Sequence, residues 1–303
     1  MKRGLTAAQQ IVALGVVALI AHSLELRMSF EASGLHIFGS VSVSVIVICL
    51  MALGLVIFRS RAYKVSNAAG LPVFFRVGGT KTYWLHMAAA GLLALSGILE
   101  IAQAPYHLLT RPNYFGGPDY PKVIIPILAG VLCIVSGAGL IPVANRNFLG
   151  KMKGRFMVPL LLPAFTGCFW LLSSYQRNAA NPNIWEYVYQ LLGIMCVTLA
   201  LYYLAASSFE RLRTSAFFLT GCMGVFFCAM VQPEQLLPAT RLRYLGMGLL
   251  LLVYLTNLEF NIKSGAAVSL SDDTAETEVR SADCGLTIDE ILDEYKRENN
   301  NEI

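Results

Sequence analysis

The chain has 303 residues, of which 56% are hydrophobic and only 14% charged, with a formal net charge of +4. A water-soluble domain carries about 25% charged residues, so this composition excludes a protein whose whole surface faces water. The seven cysteines include no Cys-x-x-Cys pair, and no His-Glu-x-x-His or phosphate-loop spacing occurs, so no metal, cofactor or nucleic-acid site is expected.

The apolar residues come in eight long blocks, at 7–26, 36–58, 83–101, 123–144, 156–175, 184–205, 214–232 and 244–260. At 1.5 Å per residue, roughly 20 apolar residues cross about 30 Å of hydrocarbon. Helix is the expected form, because lipid offers the backbone no hydrogen-bond partners. The first block follows Lys2 and Arg3 as a secretory leader would. Its apolar run continues to Leu26 without a small-x-small cleavage site, so it reads as a retained span. The seventh and eighth blocks are short and are the weakest of the set.

Basic residues divide unevenly between the two ends of these spans, fourteen against six. The positive-inside rule then puts both termini in the cytoplasm, which an even number of spans allows. The expectation is an all-α integral membrane protein. Residues 1–263 form a bundle of about eight transmembrane helices, multi-pass in the plasma membrane. Residues 264–303 form an acidic cytoplasmic tail.

Between the spans, the inner loop 59–82 holds five basic residues. Its run Val73-Phe74-Phe75-Arg76-Val77 reads as a membrane-surface loop, phenylalanines at the interface and cations toward anionic lipid, with half of a hairpin as the alternative. The outer segment 102–122, with Pro105, Pro112, Pro118 and Pro121, reads as an ordered irregular loop rather than helix. Pro163, eight residues inside the fifth block, is expected to kink or break that span. Ala90, Gly91 and Gly97 in the third block, and Gly130, Gly137 and Gly139 in the fourth, are expected at close helix contacts.

Charged groups within spans are costly, so each is a site hypothesis. His22 and Glu25 lie three apart at the outer end of the first span and share a face. Glu100 and Gln103 end the third span on the same side, and Glu186, with Tyr187 and Gln190, opens the sixth there. His22, Glu25, Glu100, Gln103 and Glu186 are therefore a candidate outward polar pocket for a cation, a proton or a small polar solute. The plainer reading is that all lie within about two turns of a helix end and reach headgroups or water. His86 and Glu259, near inner ends, read the same way.

The tail holds eleven of the chain's 19 acidic residues and three of its 23 basic ones, and its first half is polar enough to stay disordered. At its end the local signals favour a short amphipathic helix at about 287–299. Thr287 and Glu290 have capping-box spacing, Leu286 and Ile291 the staple spacing, and Ile288, Ile291, Leu292 and Tyr295 share one face. A helix this short needs a surface to hold it. Leu286, Ile288, Ile291, Leu292 and Tyr295 are thus candidate docking residues for a cytoplasmic protein or for the chain's own inner loops.

Three functions fit these features. A membrane sensor, adaptor or scaffold recruiting a partner through the tail helix comes first. A permease for a small polar solute or cation comes second. A membrane enzyme on a lipid-linked substrate comes third, although no catalytic set is legible. Membrane lipids are expected partners in every case.

Overall fold

The computed structural model describes residues 6–28, 39–61, 75–76, 79–110, 120–149, 158–178, 185, 187–206 and 213–263. These form eight α-helices, with no strand among the described residues. They are α1 (Ala7–Met28), α2 (Ser40–Ser60), α3 (Thr80–Thr110), α4 (Tyr120–Phe148), α5 (Leu161–Asn178), α6 (Val188–Ala206), α7 (Thr214–Met230) and α8 (Pro238–Lys263). Seven are long and apolar enough to cross a membrane, which makes the chain a membrane protein of many spans. The eighth, α7, has 17 residues, twelve of them buried. It packs against α1, α2, α6 and α8 at the centre of the bundle. Lipid-facing positions on the outer helices remain apolar, as with Val16, Val17 and Ile20 on α1 and Leu50 and Met51 on α2.

Local chemistry sets the helix ends. Thr6 and Gln9 form a reciprocal capping box at the start of α1, with Gln9 N donating to Thr6 Oγ1 at 3.3 Å and Thr6 N to Gln9 Oε1 at 3.0 Å. The Ala7 amide donates to Glu259 Oε1 of α8 at 2.9 Å, so a carboxylate sits at the positive end of the α1 dipole. Glu259 is therefore buried in the bundle instead of reaching headgroups. Pro238 occupies the first position of α8, where its missing N–H costs nothing.

Several expectations change. Pro163 does not break the fifth span. Its helix begins only at Leu161, after a tight turn over 158–160, so the proline lies in the first turn. Pro126 and Pro142 lie inside α4. The segment after residue 101 is not a loop from the outset, since α3 continues past Pro105 to Thr110 and α4 starts at Tyr120. The eighth span starts six residues earlier than residue 244 and takes in Arg241 and Arg243. Phe75 does not lie at the interface. It is 1% exposed, edge-on to Phe217 of α7 and Tyr254 of α8. Asn147 Nδ2 holds its carbonyl at 2.8 Å, and Asn261 Nδ2 holds that of Arg76 at 3.0 Å, so the backbone acceptors of these two residues are satisfied.

α3 and α4 meet through glycine. A Cβ on Gly130 would stand 2.7 Å from Gly97 O, and one on Gly137 2.7 Å from Ala90 O. Gly139 faces Pro159 and Leu162 instead, and Gly91 faces open space, so Gly91 is not a packing glycine. Gly246 brings α8 onto the backbone of α3 at Ala89 and Leu93.

Candidate functional site

His22 lies six residues before the end of α1, about 9 Å along the axis. Its Nδ1 is 2.9 Å from Glu25 Oε2, one turn on, and its Nε2 is 3.1 Å from Glu234 Oε1. Glu234 belongs to the turn between α7 and α8. Pro233 prevents α7 from continuing, and the Glu234 amide bonds to Val231 O at 3.1 Å, which folds the carboxylate back into the bundle. Gln190 Nε2 of α6 donates to the other oxygen, Glu234 Oε2, and exposed Arg241 donates to the Glu234 carbonyl at 3.1 Å. Tyr189 packs edge-on to the His22 ring, centroids 4.9 Å apart.

His22 and Glu25 are each 2% exposed and Glu234 4%. These side chains bind one another rather than headgroups or water. Burial pushes the Glu234 carboxyl above the ordinary carboxylate range, the nearby Glu25 adds to the push, and hydrogen bonds from His22 and Gln190 oppose it without cancelling it.

Glu100 stands in a second cluster. Its Oε2 accepts from Arg243 Nη2 of α8 at 3.0 Å, and Arg177 Nη2 of α5 lies 3.5 Å from Oε1. Arg243 is 2% exposed and lies over the Trp170 ring, 5.3 Å from its centroid. The Arg177 side chain is 48% exposed. Gln103 is one turn beyond Glu100, its Oε1 buried without a hydrogen-bond partner among the described residues. Tyr244 joins the clusters, its hydroxyl donating to Gln190 O at 3.1 Å and its ring 4.5 Å from that of Trp170.

Of the expected residues, His22 and Glu25 meet, while Glu100 and Gln103 stand beside them in the second cluster. Glu186 lies outside the described residues, as do all five tail residues from Leu286 to Tyr295. Sequence reasoning passed over Glu234, Arg243, Arg177 and Trp170. Glu234 lies behind a proline and reads as connector. Arg243 offered a usable signal, an arginine at the mouth of an apolar block, level with the lone carboxylate of the third span. Among the described residues no group of three His, Cys, Asp or Glu side chains is placed to hold a metal ion. Comparison with family models, curated proteins and solved structures returns no match.

Proposed function

We propose that the chain is a permease of the plasma membrane, exchanging protons at His22 against a cation or a small polar solute bearing positive charge. One observation carries the reading: a single buried imidazole stands between two buried carboxylates from different parts of the bundle. Each of the two N···O contacts needs one proton between its atoms. Two protons satisfy both, whether His22 is doubly protonated or one carboxyl holds a proton. With one proton, a bare ring nitrogen faces a bare carboxylate across about 3 Å, which is repulsive in a medium of low dielectric. A cation entering at that moment relieves the repulsion, so loss of a proton and gain of a cation are coupled.

The test is proton movement in proteoliposomes holding a pH-sensitive dye, with Na⁺, K⁺, NH₄⁺ or small amines outside. Wild-type protein moves protons in response to at least one of these, and His22→Asn and Glu234→Gln abolish the response while remaining folded. Wild-type vesicles that leak no more than empty ones with every cation would sink the proposal.

The adaptor reading keeps one specific support, the agreement of cap, staple and apolar face at 286–295. Cross-linked pull-down with the full chain against one ending at Gly285 tests it. A cytoplasmic protein lost on truncation favours the adaptor, and identical captures remove it.

A further inference from the structure

At the opposite end of the α3–α8 seam from Glu100 and Arg243 lies a second group of buried polar side chains. His86 of α3 is 0% exposed, and neither ring nitrogen has a hydrogen-bond partner among the described residues. The Tyr254 ring is edge-on to it with centroids 5.3 Å apart, and the Tyr254 hydroxyl is likewise buried without a partner. Asn257, one turn further along α8 on the same face, has a buried Nδ2 in the same condition. The next turn brings Asn261, which donates to the Arg76 carbonyl, and Phe75 packs edge-on to the Tyr254 ring.

Four polar atoms buried together without partners are exceptional, because each forfeits its bonds to water. His86 must offer one donor and one acceptor as a neutral ring, Tyr254 offers both through its hydroxyl, and the Asn257 amide donates. The two ring nitrogens diverge, so no single water reaches both; two waters, one on each side of the ring, supply the partners this set needs, and a buried water typically makes about three such bonds.

We infer that His86, Tyr254 and Asn257 hold internal water, forming an inner hydration site on the α3–α8 seam. Fourteen residues, about 21 Å of helix, separate His86 from Glu100. Gly246 seats α8 directly on the α3 backbone between them, so the inner water is separate from the outer clusters. Its use as the inner station of a proton path rests on the permease reading; its occupancy does not.

Occupancy is read by magnetisation transfer from water to ¹⁵N-labelled histidine rings in nanodiscs, with His86→Phe assigning the His86 signal. Transfer to His86, together with no gain in thermal stability from the paired His86→Phe and Tyr254→Phe change, is the expected result. A resolved His86 signal without transfer overturns the inference, as does a clear rise in melting temperature for the paired variant, because dry unpartnered atoms are costly and their removal stabilises. Flux is measured separately. If wild-type flux exists, Tyr254→Phe lowers it about tenfold, the worth of one hydrogen bond. Unchanged flux with water transfer intact removes the site from the path, and absent wild-type flux defeats the permease reading while the hydration result stands.

Discussion

Arg243→Met tests the energetic core of the Glu100 cluster. At 3.0 Å and an effective dielectric of about 20, Coulomb's law puts the attraction between Arg243 and Glu100 at about 5.5 kcal/mol. Desolvation of two groups that are 2% and 4% exposed offsets much of it, so the pair adds little net stability over an apolar pair of similar volume. Removing one partner is different, because a buried charge is then stranded. Arg243→Met leaves Glu100 with Arg177 alone, half-exposed and 3.5 Å away, a contact worth at most about 1 kcal/mol. The expected cost is about 3–5 kcal/mol, including about 1–2 kcal/mol of cation–π attraction to Trp170. Glu100→Leu alone should cost a similar amount, and the double variant far less than the sum. Reversible unfolding in mixed micelles, followed through a double-mutant cycle, measures this directly. A cost below about 1 kcal/mol for Arg243→Met, or a coupling near zero, would show that the two side chains do not share a dry site, and the reasoning about the cluster would fail.

Other expectations follow from the same packing. Phe75→Ala should lose about 3–5 kcal/mol despite its place between α2 and α3, because it empties a buried ring site; Trp84→Ala, 65% exposed, should lose much less in the same unfolding assay. Gly137→Ala should destabilise by about 1–3 kcal/mol, its new Cβ meeting a backbone carbonyl that cannot yield, whereas Gly91→Ala should stabilise slightly. The raised Glu234 carboxyl means the folded state holds a proton more tightly than the unfolded chain, so stability should fall as pH rises from the ordinary carboxylate range through the raised value. Melting temperatures between pH 4 and pH 8 should show this slope, and Glu234→Gln should flatten it.

The helical blocks were legible because lipid removes the alternatives: a charge-poor run of about 20 residues has one way to satisfy its backbone. Errors came where one residue changes meaning with its neighbour. Arg241 and Arg243 delayed the expected start of α8, because a cation at a span mouth reads as loop unless its partner on another helix is known. Phe75 looks interfacial in a basic loop, and only Asn147 and Asn261, 72 and 185 positions away from the carbonyls they hold, let that backbone enter the bundle. Within the site, His22 and Glu25 were found because three residues is a helical spacing. Glu234 is 212 positions from His22, and no periodicity reports such a contact.

The His22 and Glu100 clusters make better sense counted together. Glu25, Glu100 and Glu234 bring three negative charges, Arg177 and Arg243 two positive ones, and His22 one more only when doubly protonated. The six groups are neutral with the proton on His22 and carry one net negative charge without it. Arg177 lies nearest solvent, so the fixed charge at the mouth is positive and the charge that varies lies deeper, at His22 and its two carboxylates. A free anion would meet Arg177 first but find Arg243 already committed to Glu100. On the permease reading, a cation entering beside Arg177 would find, once His22 has released its proton, the only unbalanced charge among the six. Selectivity would then be set by the depth of the variable charge rather than by the sign at the entrance, and Arg177→Gln should raise the rate of cation uptake without changing which cation is taken.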